Sequence, residues 1–129
     1  MSSDEQMLRV NAITEKVIGA AFRVSNTLGV GFLEKVYENA LFHELKKEKL
    51  EVQKQVPIKV WYEDIVVGDY TADLMVEGTV LVELKVAKSF DDIHLAQCLN
   101  YLKATKLSVC LLINFGLPKV EIKRIINKL

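Results

Sequence analysis

The chain of 129 residues carries no net charge: 17 lysines and arginines balance 17 aspartates and glutamates. That balance removes the global basic field that drives non-specific DNA binding, so any nucleic-acid contact must come from local patches. Lys46-Lys47 with Lys49, and Lys119 with Lys123-Arg124, are candidates, against a plain reading as solvated surface. There are only two cysteines, Cys98 and Cys110. Neither has zinc-like spacing, and both are expected to act as buried small hydrophobes. Nothing therefore demands an oxidising compartment. The longest uncharged apolar run, at residues 109–113, is far too short to span a bilayer. The segment Met1-Ser2-Ser3-Asp4-Glu5-Gln6 is polar and acidic, unlike a secretory signal. A cytoplasmic protein without membrane association is the expectation. A Gly-rich phosphate loop is missing, as is any Ser/Cys–His set, which argues against a small-molecule enzyme on an α/β sheet. No repeat, linker or low-complexity segment breaks the chain. Its length suits one domain, residues 1–129, and its 50% apolar content suffices for a core.

What is present concentrates on two adjacent strand-like runs, Asp73-Leu74-Met75-Val76 and Val80-Leu81-Val82-Glu83-Leu84-Lys85-Val86. An acid on one strand and an acid-x-Lys on the next can place two carboxylates and an ammonium in one small volume. Such carboxylates suit Mg²⁺, a hard cation with oxygen ligands. An ion so held lowers the pKa of a bound water and polarises a phosphate. The lysine can orient that water or neutralise charge on the phosphorus oxygens. The plain reading of the same residues is a solvated strand face with a Glu–Lys pair.

Register separates the readings, because side chains alternate along a strand and paired residues share a face. A two-residue Glu77-Gly78 turn pairs Val76 with Thr79 and puts Asp73 and Glu83 on opposite faces. A three-residue loop, Val76-Glu77-Gly78, pairs Met75 with Thr79 and Asp73 with Leu81. Asp73, Glu83 and Lys85 then share a face, while Ala72, Leu74, Val76, Val80, Val82 and Leu84 form a wholly apolar one. Burial favours the second register. Gly78 also falls where a type I turn with a G1 bulge needs a left-handed residue.

Along the rest of the chain, Ile13, Val17, Ala20, Ala21, Val24 and Leu28 recur at helical spacing, with Gly29 as a stop. A second helix is predicted over 32–49, with Leu33, Val36, Tyr37, Ala40, Leu41 and Leu45 as its buried stripe. Residues 55–62, 66–76 and 79–86 read as an antiparallel meander, with a turn at Glu63-Asp64. Ser89 is the predicted cap of a third helix reaching about Lys103, with Asp91 and Asp92 in its first turn. Residues 108–115 form a continuous apolar strand, expected to be central and parallel to 79–86. Residues 120–126 read as an edge strand in preference to a short helix. The fold class is α/β (mixed α+β), order ααβββαβ(β), a mixed sheet flanked by helices.

That order, with D…ExK on the second and third strands, resembles the restriction-endonuclease-like core of the PD-(D/E)xK nuclease superfamily. Gly31-Phe32-Leu33-Glu34-Lys35-Val36-Tyr37 matches a GxxExxY signature, and Gln97-Cys98-Leu99-Asn100-Tyr101 matches the QxxxY helix motif of RecB-like nucleases. With Leu112-Ile113-Asn114-Phe115-Gly116, the chain is similar to GxxExxY family proteins over residues 13–126. The proline that names the superfamily is absent, since Thr71-Ala72 precede Asp73.

The resemblance implies a metal-dependent nuclease that hydrolyses phosphodiester bonds of DNA or RNA with Mg²⁺ or Mn²⁺. Asp73 and Glu83 would hold the metal, with the Leu84 carbonyl as a further ligand, and Lys85 would act in catalysis. Glu34 would add a ligand directly or through water, or else stabilise the helix dipole. Gln97 would hold Lys85 or a substrate phosphate, and Tyr101 would brace the site. Tyr37 either bonds the site or packs. His94, one turn before Gln97, either touches phosphate or is structural. The alternative is a non-catalytic nucleic-acid-binding or protein-interaction module on the same fold, in one form a homodimer.

Overall fold

The computed structural model describes residues 2–127. The first helix, α1 (Ser3–Leu28), is longer than its apolar periodicity. Its extra turns follow from its start: the Ser2 side chain accepts from the Glu5 N–H, and Asp4 and Glu5 occupy the positive end of the helix dipole. Gly29 ends it with φ +68° and donates its N–H to the Ser25 carbonyl.

The second helix, α2 (Glu34–Lys47), starts two residues later than predicted. Tyr37, Leu41 and Leu45 are its fully buried stripe, each one turn from the next. Leu33 is 79% exposed and Val36 38% exposed, contrary to expectation. Leu33 lies outside the helix as its cap, and Val36 is about 100° off the 37/41/45 line.

Five strands follow: β1 (Val52–Tyr62), β2 (Ile65–Val76), β3 (Val80–Lys85), then, after α3 (Asp92–Thr105), β4 (Val109–Asn114) and β5 (Glu121–Ile126). They form one mixed sheet in sequence order, antiparallel throughout except for the β3–β4 pair. The parallel pair is joined by the α3 crossover, as expected. Asp91, not Ser89, caps α3; its carboxylate accepts from the Ile93 N–H at 2.7 Å. A carboxylate on the residue just before the helix outcompetes a hydroxyl two positions further away.

The sheet separates two apolar layers. One joins α1 and α2 to Leu74, Val76, Val80, Val82, Leu84, Leu111 and Ile113. The other joins α3 to Ile58, Ala72, Leu81, Cys110 and Leu112. Every residue of β4 is buried, which explains its uninterrupted apolar sequence. Cys98 and Cys110 are buried free thiols, as predicted. Among the described residues no helix is long and apolar enough to cross a membrane.

The end of β3 is pinned from β4. Buried Asn114 accepts from the Ala87 and Gly116 N–H groups and donates to the Ala87 carbonyl, while Phe115 donates its N–H to the Lys85 carbonyl. A Cβ on Gly116 would lie 2.5 Å from both the backbone nitrogen and oxygen of Ala87. Gly116→Ala should therefore destabilise the fold by about 1–3 kcal/mol, as overpacking against backbone does. A denaturant midpoint equal to that of the parent would contradict this account of the β3 terminus.

Candidate active site

The β2–β3 hairpin sets the site. Its observed loop is Glu77-Gly78-Thr79, so Val76 pairs with Val80, Met75 with Leu81 and Leu74 with Val82. This register differs by two residues from the predicted pairing of Asp73 with Leu81. The shift is even, so the conclusion about faces survives, and Asp73 falls opposite Glu83. The turn differs too: Glu77 and Gly78 both have positive φ, +54° and +62°, and Thr79 donates to the Val76 carbonyl. Two left-handed central residues make a turn that matches strand twist, in place of the type I turn with bulge.

Backbone pairing between β2 and β3 stops at Leu74 and Val82. Beyond it, side chains take over the backbone donors. The Asp73 carboxylate accepts from the Leu84 N–H at 2.8 Å, and the Glu83 carboxylate accepts from the Asp73 N–H at 3.3 Å. Ala72, predicted on the Leu74 face, instead packs in the α3 layer. The strand therefore changes face at Asp73. Gln55, flanked by the pairs Lys54–Leu74 and Val56–Ala72, carries the matching irregularity in β1, with φ +50°. The two strands thus part where the two acids sit.

The electrostatics follow from that crowding. Burial, then the neighbouring Asp73 charge, pushes Glu83 up to about 9. Glu83 is 4% exposed. Burial also raises Asp73, against the opposing Leu84 hydrogen bond. Two adjacent carboxyls in a desolvated gap cannot both ionise cheaply, so without a cation the pair retains a proton.

Glu34, in the first turn of α2, is brought to the same charges. Partial desolvation raises its pKa, then the Asp73 charge, while Lys85 opposes them. Asp73 likewise feels Lys85. Asp73, Glu83, Lys85 and Glu34 are therefore one electrostatic unit, as the sequence led us to expect.

Sequence reasoning missed Glu38. It lies one turn after Glu34, is 3% exposed, and its carboxylate accepts from Lys35 at 2.8 Å and from Gln55 at 2.7 Å. Its charge also raises Asp73. Its one sequence signal is its place at i+4 from Glu34 beside Tyr37, which a solvated helical glutamate would share. Four acids, Asp73, Glu83, Glu34 and Glu38, thus lie near two lysines, Lys85 and Lys35.

The α3 residues divide. Gln97 donates its amide to the Tyr101 hydroxyl at 2.8 Å, and neither residue bonds Lys85. Tyr101 is pushed up to about 12 by burial and then by the Glu83 charge. His94 accepts from the Asp91 N–H through Nδ1, completing the α3 cap, a structural role. Tyr37 also packs: it is fully buried, stacks on Phe115 at 4.8 Å and donates to the Gly29 carbonyl at 2.6 Å. It braces the α1–α2 loop that leads into Glu34.

Whether these residues suit a divalent ion depends on the ion. Among the described residues no group of three His, Cys, Asp or Glu side chains is arranged to hold a metal ion. Asp73 and Glu83 supply two carboxyl groups as hard oxygen donors once their shared proton is lost. That suits Mg²⁺ or Mn²⁺, since Mg²⁺ uses one or two carboxylates and takes its other ligands from water and substrate phosphate. It does not suit zinc, which in structural sites closes on four protein ligands.

The family model of the PD-(D/E)XK nuclease superfamily matches residues 11–125. No curated protein matches the chain. Among solved structures, an alkaline exonuclease from Laribacter hongkongensis aligns over 89% of this chain and 82% of its own, with 14% identity and a TM-score of 0.49. A likeness at that level speaks to neither substrate nor mechanism.

Proposed function

The chain belongs to the PD-(D/E)XK nuclease superfamily, and on that footing we propose that it is a metal-dependent phosphodiesterase that cleaves nucleic acid. PD-(D/E)XK nucleases generally use divalent metals, and a nuclease fold implies a nucleic-acid substrate. The observation that carries the reading is the Asp73–Glu83 pair at the point where β2 and β3 part, with Lys85 on the same strand end.

Asp73 and Glu83 would hold the ion. Bound there, a divalent cation supplies Lewis acidity toward a phosphate oxygen and an activated water. The chain's own residues do the rest. Leu84 and Asp73 N–H groups fix the two carboxylates, so little reorganisation is needed on loading. Lys85, held by the β3–β4 pairing and the Phe115 bond, presents its ammonium to charge that develops on the phosphoryl oxygens. Glu34, exposed at the start of α2, would orient a water or add a ligand through one. Glu38 acts one step back, holding Lys35 and Gln55 beside the pair.

The first test is thermal. A cation that binds only the folded site stabilises by mass action, about 2.7 kcal/mol at a hundred times its Kd. Millimolar Mg²⁺ or Mn²⁺ should raise the Tm of the parent, and Asp73→Asn should lose the effect. An unchanged parent melting curve would favour the non-catalytic module instead.

A further inference from the structure

An open groove of about 830 Å³ runs between α3 and the β1–β2 ribbon. β2 pairs with β3 only at Leu74 to Val76, yet pairs with β1 as far as Ile65, so the hairpin overhangs the sheet and forms one wall. Trp61 and Tyr70 on that wall are 60% and 49% exposed. Tyr70 leans on Tyr101 with ring centroids 5.8 Å apart. Gly68 makes room for that ring: a Cβ there would lie 2.9 Å from Tyr70 Cε2. The facing α3 wall offers Gln97 and Lys103, and Lys106 closes its end.

The lining combines three features. It exposes aromatic faces, which are costly to leave in water without a partner. It carries lysines and no carboxylate, although the chain as a whole is neutral. Lys59 also borders it from β1, opposite Asp69 in the strand register, while Lys103 and Lys106 stand on the α3 side. Neither is in a salt bridge among the described residues. Stacking rings beside free ammonium groups suit a strand whose bases are unpaired and whose phosphates lie alongside. A duplex keeps its base faces stacked and cannot offer them.

We propose that this groove binds a single-stranded segment of nucleic acid, its bases stacked on Tyr70 and Trp61 and its phosphates met by Lys103 and Lys106. The proposal rests on the nuclease reading, since Tyr101 on the groove wall shares the α3 layer with Ala72, the residue before Asp73; it makes single strands or frayed ends the substrate class. Trp61 is the only tryptophan in the chain and reports the groove directly.

The test titrates the full chain, in EDTA, with a ten-nucleotide oligothymidylate and with a blunt duplex of equal length. Trp61 emission should change saturably with the single strand and far less with the duplex. Tyr70→Ala should weaken single-strand binding about 5–150-fold, the range for removing one base stack, while Tyr70→Phe should retain it. Lys103→Ala with Lys106→Ala should flatten the salt dependence by about 0.7 in log–log slope for each phosphate that is no longer neutralised. Equal affinity for the duplex, or undiminished binding by Tyr70→Ala, overturns the proposal. So does a dimer in sedimentation velocity that Trp61→Ala dissociates, because the occupant would then be a second copy. Binding is read without metal, so the two readings fail separately. A parent that cleaves but binds independently of Tyr70 overturns the groove alone. A parent that binds through Tyr70 but cleaves nothing with any divalent ion overturns the nuclease reading alone.

Discussion

Lys85→Ala is expected to fold, to bind Mn²⁺ at least as well as the parent, and to cleave about 10²–10³-fold more slowly. Metal binding rests on the Asp73 and Glu83 carboxylates, and Lys85 is a like charge to the incoming ion. Its removal takes a positive charge away from Asp73 and Glu34, since the ammonium opposes the rise in both their pKa values. Turnover suffers because the lysine acts on charge present only in the transition state. The fold should hold, since the side chain is half-buried at a strand end and makes no side-chain hydrogen bond or salt bridge among the described residues. Manganese titration and single-turnover rates check both halves. A variant as fast as the parent would remove Lys85 from the chemistry.

The second large effect concerns Glu83. Its folded pKa, about 9, lies above the 4.5 of an ordinary glutamate. A raised acid pKa means that the native state holds the proton more tightly than the unfolded chain. The contribution to stability is complete below pH 4.5 and is lost progressively as the pH rises toward 9. The metal-free Tm should therefore fall across that window. Glu83→Gln keeps the shape without the ionisation, so its Tm should vary less with pH and exceed the parent's near pH 8. The gain should be on the order of a few kcal/mol, the effective penalty of a buried unpaired charge. The same variant should lose the thermal response to Mg²⁺. In the parent, loading must displace the shared proton, so apparent metal affinity should rise with pH, by up to about tenfold per unit while one proton is released. Metal titrations at pH 6, 7 and 8 read this slope, and a flat profile would mean that Glu83 is already ionised.

Much of this site could be read in the chain because burial enforces parity. Leu74, Val76, Val80, Val82 and Leu84 must share a face, and that alone brings Asp73 and Glu83 together. The pairing itself was not legible. Parity cannot tell a register from one shifted by two, and the turn was decided by left-handed Glu77, a residue with no strong signal for that conformation. The change of face at Asp73 was hidden for a related reason: Ala72 is apolar and fits either layer, so the pattern carries no mark of the switch. Glu38 was hidden by its neighbours. A glutamate on a helix reads as solvated until Gln55 and Lys35 are seen to bury it. For His94 and Tyr37 the sequence left a site role and a structural one open, and their contacts are the structural ones: His94 caps a helix and Tyr37 braces a loop.

The most direct test of the central claim is cleavage by the purified full chain. Initial rates would be measured on single-stranded DNA, duplex DNA and RNA, each with Mg²⁺, with Mn²⁺ and with EDTA, beside Asp73→Asn prepared identically. The account predicts hydrolysis of at least one substrate with a divalent ion, none in EDTA and none by Asp73→Asn. Equal cleavage by the parent and Asp73→Asn, or no cleavage by the parent with either ion, would contradict it.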